Sequence, residues 1–181
     1  REALDGGQVP SEQLSLSEIH IRRALRGEVI KLWSAVMTTL PEPSATRTYI
    51  VRATVDDDRE WLRGVPLCGL LGQHHIAHVG LLEAPPAFEI SRPDQSGTFM
   101  LACYSGSGLV RADGQWKKVV AGQACLLPPF VTNAMKTTGR EPWRMCWVRY
   151  HESRESNPIV SAGSPVLGAY DPLPLRHAIQ G

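Results

Sequence analysis

The chain has almost no excess of charge: 19 Lys and Arg stand against 18 Asp and Glu, a formal net charge of +1. With no strong field of either sign, nothing draws it as a whole toward nucleic acid or an anionic membrane, and no basic domain is visible. Its apolar runs fall far short of the roughly eighteen residues a membrane span needs. Its first residues are polar and charged, without the apolar core of a signal peptide. A soluble, cytoplasmic protein is the expectation. Internal repeats and low-complexity blocks are also lacking. Cys68, Cys103, Cys125 and Cys146 form no close Cys-x-x-Cys pair, and each sits inside an apolar run. Buried, reduced thiols are therefore expected rather than a disulfide framework.

What the chain has in quantity is turn formers, with 16 Gly and 14 Pro. They cut it into short β-prone runs, most densely over 106–150, where 109–110, 116–120, 124–127 and 145–150 are separated by Asp113-Gly114, Ala121-Gly122 and Thr138-Gly139. Strands this close, joined by tight turns, predict a small antiparallel barrel or sandwich rather than a βαβ unit. Further strands are predicted at 46–55, 73–82, 88–93 and 98–104. Pro128-Pro129 ends a strand, since neither residue can donate to a ladder. Upstream, Val29, Leu32, Trp33, Val36, Met37 and Leu40 form a helical apolar stripe within 15–40, expected to pack on the barrel or on a second copy. The Pro-, Gly- and Ser-rich stretch after Tyr150 reads as surface loop, and 171–179 as the start of a helix. The chain begins at Arg1 without a methionine and stops inside that helical pattern, so a fragment of a longer protein is expected.

Two clusters invite a metal. Asp56-Asp57-Asp58 lacks the Gly and distal Glu of a calcium loop and reads as a solvated turn. His74, His75 and His78 are the stronger case, with Glu83 as the one nearby further ligand. On a strand, however, His74 and His78 stand about 13 Å apart, and a shared ion wants a third ligand. Surface or ligand-facing histidines are expected, with no metal and no cofactor.

Several features together carry a resemblance. Arg92-Pro93 precedes an apolar strand that runs into Gly106-Ser107-Gly108, followed by a hairpin at Asp113-Gly114. Gly122 leads through apolar residues to Pro128-Pro129, and Pro142-Trp143 is followed by Trp147. In this order and spacing the run 85–150 resembles the N-terminal effector-binding domain of AraC-type transcriptional regulators, a cupin-like antiparallel β-barrel, or jelly roll. The resemblance implies a barrel that binds a small polar effector, often a sugar, and can form a homodimer. DNA would be bound only through a C-terminal domain absent from this chain. It also implies that Arg92, Asn133 and Trp147 lie near the effector: Arg92 as a planar fork, Asn133 as donor and acceptor, and Trp147, with Trp143 as a second candidate, as a flat apolar face.

The departures from the pattern point away from metal chemistry. Cupins that hold a metal carry His-x-His and Glu in a first motif, yet 98–108 has no histidine. In the second motif Phe130 stands where glycine is usual and Asn133 where histidine is usual, and an amide is a poor ligand for transition metals.

The expected organisation is a lead and helical extension over 1–45, a barrel over 46–155, and a loop with the start of a connection over 156–181. The expected function is ligand sensing in a transcription regulator, without catalysis. Two rivals stand beside it. One is a metal-free sugar isomerase or epimerase using His74, His75 or His78 with Glu83 as acid and base; the other is a dimerisation module with a filled barrel.

Overall fold

The computed structural model describes residues 45–57 and 59–181. The helical stripe read within 15–40 lies outside the described residues.

Ten strands follow in order: β1 Arg47–Arg52, β2 Ile76–Ala84, β3 Glu89–Arg92, β4 Phe99–Ser105, β5 Ser107–Ala112, β6 Gln115–Val120, β7 Gln123–Leu127, β8 Asn133–Thr137, β9 Trp143–Tyr150 and β10 Val166–Ala169. A six-stranded sheet runs β1-β2-β9-β4-β7-β10 and a four-stranded sheet β3-β8-β5-β6, with every pairing between them antiparallel. Strands β2 to β9 alternate between the sheets as β2-β9-β4-β7 faced by β3-β8-β5-β6. This is the strand order of an eight-stranded jelly roll, the architecture that cupins share. The mainly-β, antiparallel jelly roll expected from the turn density is present. β1 and β10 extend the larger sheet at its two edges.

Local chemistry explains the elements. The two-residue connection Asp113-Gly114 has both residues at positive φ, 53° and 74°, the mirror-image turn that closes a tight hairpin, and it joins β5 to β6 with Ala112 opposite Gln115. Gly106 carries the chain from the larger sheet to the smaller at φ 74°, and a Cβ there would lie 2.2 Å from the Pro142 carbonyl oxygen. Only glycine fits. The outer strand β6, QWKKVV, is mostly exposed and carries Lys117 and Lys118, charges that discourage pairing with another sheet.

Two apolar cores result. Along β4 and β9 alternate residues go to opposite faces of the larger sheet. Leu101, Cys103, Met145 and Trp147 point between the sheets, whereas Met100, Ala102, Cys146 and Val148 point outward. The outer face is sealed by a helical turn, Gly69–Gly72, and by the helix Leu173–Gln180, whose Leu175 and Ile179 are buried on it. The helix expected from 171 is present and covers the sheet, while the stretch expected as surface loop also contributes the edge strand β10. The four cysteines are all buried, and burial pushes Cys125 and Cys146 up to about 12, where they are unreactive thiols. No helix among the described residues is long and apolar enough to cross a membrane.

Candidate functional site

The space between the sheets is filled at one end and open at the other. At the filled end Trp143 is 1% exposed, its indole N–H donating to Cys103 Sγ at 3.2 Å. Its ring occupies the place where a Cβ on Gly108 would sit, 2.1 Å from that position. Trp143 is core. At the open end lies a cavity of about 390 Å³ with mostly apolar walls, among them Ile50, Ile90, Phe99, Leu101 and Met135. Its size falls within the range of small-molecule sites.

Arg92 and Trp147, both expected near a ligand, line this cavity together. Arg92 ends β3 on the same inward face as Ile90. Its guanidinium lies 5.5 Å from the centre of the Phe99 ring and has no ion-pair partner among the described residues. Burial, with the Arg59 charge adding to it, lowers its pKa, the sign of a cation held away from water without a counter-charge. Asn133 faces Arg92 across the β3–β8 ladder, on the same side as Met135. It is 1% exposed and outside the cavity lining, and its Oδ1 has no hydrogen-bond partner.

Of the three histidines, only His78 faces the cavity. His74 and His75 belong to the turn before β2, with His75 at φ 56°, and the expected strand starts at Ile76. His78 is 1% exposed, and its Nδ1 accepts the Trp147 indole N–H at 3.1 Å. The imidazole proton must therefore sit on Nε2, which is buried with no acceptor. Burial, reinforced by Arg149 and Arg59, draws the His78 pKa down to about 3, so the ring is neutral at physiological pH. Phe99 and Trp61 meet it edge-on, with ring centres 5.6 and 5.3 Å away. Glu83 occupies the opposite face of β2 by strand parity and is held by Arg144 at 2.8 Å. The acid–base pair of the isomerase reading is not brought together.

Asp57 of the acidic turn, with residues that the sequence did not mark, completes the mouth. Asp57 forms a short bidentate pair with Arg59, which holds the Asp57 carboxyl below its usual range, and its Oδ2 lies 3.7 Å from Arg149. Within the acidic turn, Asp56 is exposed as expected, whereas Asp57 clamps two arginines. Arg59 stacks on Trp61 at 4.7 Å. Arg149, on the inward face of β9 two residues after Trp147, donates to the Ser96 carbonyl at 3.0 Å and to its hydroxyl at 2.6 Å. Burial first, then Arg59, brings its pKa down to about 10, so it remains charged. Gln95, 7% exposed, also lines the cavity, and its Oε1 lacks a donor. Its carbonyl accepts the N–H of Phe130, which adopts φ 59°. That left-handed backbone gives a physical reason for glycine to be usual at this position. Parity with Trp147 could have flagged Arg149; nothing local marks Arg59, Trp61 or Gln95.

This donor set does not fit a metal. Among the described residues no three His, Cys, Asp or Glu side chains are grouped for one ion. The cavity itself offers one imidazole beside two arginines, whose charges oppose a cation.

No family model matches the chain, and no curated protein is found similar to it. Solved structures do show partial likeness. The chain is similar to the cupin domain of Cnp3 from Schizosaccharomyces pombe, with 16% identity over 43% of this chain and 57% of that one, at a TM-score of 0.40. It thus spans less than two thirds of that protein. A cupin domain of an XRE-family transcriptional regulator from Enterobacter cloacae is 11% identical over 45% of this chain and 87% of that one, at 0.41. A predicted oxalate decarboxylase from Thermotoga maritima is 14% identical over 48% and 76%, at 0.43. At these scores the jelly roll stands on its own strand order.

Proposed function

We propose that this chain is the ligand-sensing barrel of an AraC-type transcription regulator, that it binds a small polar metabolite in the open end of the jelly roll, and that it performs no catalysis. The observation that carries the reading is a cavity of about 390 Å³ lined by Arg92, which has no ion-pair partner among the described residues, and by His78 and Gln95, each with a buried polar atom lacking a hydrogen-bond partner. Buried polar groups without partners are costly unless something bound satisfies them. The open volume counts against a filled barrel. An imidazole that protonates only near pH 3 is a poor general base at neutral pH, and this weighs against the isomerase or epimerase. In this reading DNA recognition belongs to a part of the protein outside this chain, the protein is cytoplasmic, and two barrels pair as a homodimer.

A metabolite panel screened by thermal shift tests the proposal. A ligand that fills the cavity raises the melting temperature with its concentration, and Leu101→Trp, which fills the same space, abolishes the shift. Turnover of any bound compound by the wild-type chain would sink the non-catalytic reading. Melting unchanged by every compound would sink sensing.

A further inference from the structure

The arginines at the open end are not equivalent. Asp57 engages Arg59 and reaches Arg149, while Ser96 holds Arg149 through both its carbonyl and its hydroxyl. Arg92 has neither kind of partner, although it is half-buried against Phe99. Asp57 is shared by Arg59 and Arg149, and among the described residues no carboxylate lies within ion-pair distance of Arg92. Two arginines and no carboxylate line the cavity. A second observation points the same way. His78, 99% buried by its 1% exposure, presents an Nε2–H without an acceptor, and Gln95 presents an Oε1 without a donor.

The rest of the lining narrows the ligand. A neutral sugar would leave Arg92 unpaired and would set most of its hydroxyls against Ile90, Leu101 and Met135. A phosphate dianion asks for several converging donors, whereas Arg92 is the one guanidinium here with no ion-pair or hydrogen-bond partner among the described residues. A single negative charge on an apolar body suits one free guanidinium above apolar walls.

We propose that the cavity takes a small monocarboxylate with an apolar aromatic or aliphatic body and a hydroxyl, the carboxylate on Arg92 and the hydroxyl between His78 Nε2–H and Gln95 Oε1. This rests on the barrel being a binding site, and it names the chemistry that the site selects. The hydroxyl accepts from His78 and donates to Gln95, so both buried groups are satisfied together. Arg92 is the specificity-determining residue, and Trp147 positions His78 by donating to its Nδ1.

The test is calorimetric titration of the 181-residue chain with 4-hydroxybenzoate and 6-hydroxyhexanoate, with their primary amides, and with glucose and inorganic phosphate. At least one hydroxy acid is expected to bind about ten- to a hundredfold more tightly than its amide, with glucose and phosphate weaker still. In Arg92→Gln the acid and its amide converge in affinity, and Arg92→Lys restores part of the gap. Should either variant fail to fold, as judged by far-ultraviolet circular dichroism, the acid-to-amide ratio on the wild type decides alone. Binding of glucose or an amide as tight as that of the acids overturns the carboxylate assignment and leaves the sensing barrel standing. No binding by any of the six compounds overturns the assignment, while the wider metabolite panel still decides the barrel's role.

Discussion

Trp143 and Trp147 lie four residues apart on the same inward face of β9, and the two ends of the barrel differ around them. Trp143 fills the space left by Gly108 and gives its N–H to a thiol; everything around it is packed. Trp147 fills the space left by Gly80, where a Cβ would lie 2.4 Å from its ring, and gives its N–H to an imidazole that borders open volume. One end is closely packed and the other borders a cavity. A residue type and its strand parity do not separate the two roles. The neighbours across the sheet do.

The comparison breaks most directly by truncation. Trp143→Ala is expected to cost about 3–5 kcal/mol in urea unfolding, as expected for a tryptophan removed from a closed core. Trp147→Ala should cost less than that range because its ring already borders a cavity, and it should lose ligand binding. Equal losses in stability would erase the distinction between the ends.

Overpacking sharpens it. Gly108→Ala and Gly80→Ala each press a methyl into an indole, at about 1–3 kcal/mol. At Gly80 the Tyr49 carbonyl, also 2.4 Å away, blocks relief. Both variants lower the melting temperature, but Gly80→Ala alone should alter affinity for a ligand of the cavity.

Acid separates the ends through His78. Its folded pKa of about 3 lies below the ordinary value of 6.5, so the unfolded chain binds a proton between them that the folded chain refuses. The stabilisation is complete above pH 6.5 and is lost as pH falls toward 3, with a slope of about 1.4 kcal/mol per pH unit. Unfolding free energies at pH 7 and 5 should therefore differ by about 2 kcal/mol from this group. In His78→Gln the difference shrinks by that amount; an unchanged difference would rule out a buried neutral imidazole.

The smallest effect belongs to the rim. Arg154 pairs with Asp94 at 2.7 Å, both exposed, and stacks over Phe130 at 4.2 Å beside Gln95. Arg154→Ala should change stability by less than about 1 kcal/mol and diminish further in high salt.

Much of the fold was legible in sequence because its signals are local. Predicted strands at 98–104 and 124–127 match β4 and β7 within one residue at each end, and Asp113-Gly114 closes a hairpin as its chemistry requires. β8 was missed because NAMKT has no alternation, and β10 because a four-residue edge strand among Gly and Pro looks like loop. Arg92 and Trp147, which the family resemblance puts near an effector, both line the cavity. Asn133 is buried and is not among the residues lining the cavity.

The sequence by itself determined a turn-dense antiparallel body, the absence of a histidine pair at the usual cupin positions, and which strands are apolar on both faces, since these depend on residues within a few positions of one another. Only the tertiary structure decided that His78 meets Trp147 across 69 residues, that Asp57 is spent on two other arginines, and that Arg92 has no ion-pair partner among the described residues. Ion pairing and burial are properties of neighbours in space. In a jelly roll every strand takes its neighbours from distant parts of the chain, and so the open end could not be read from any one stretch of it.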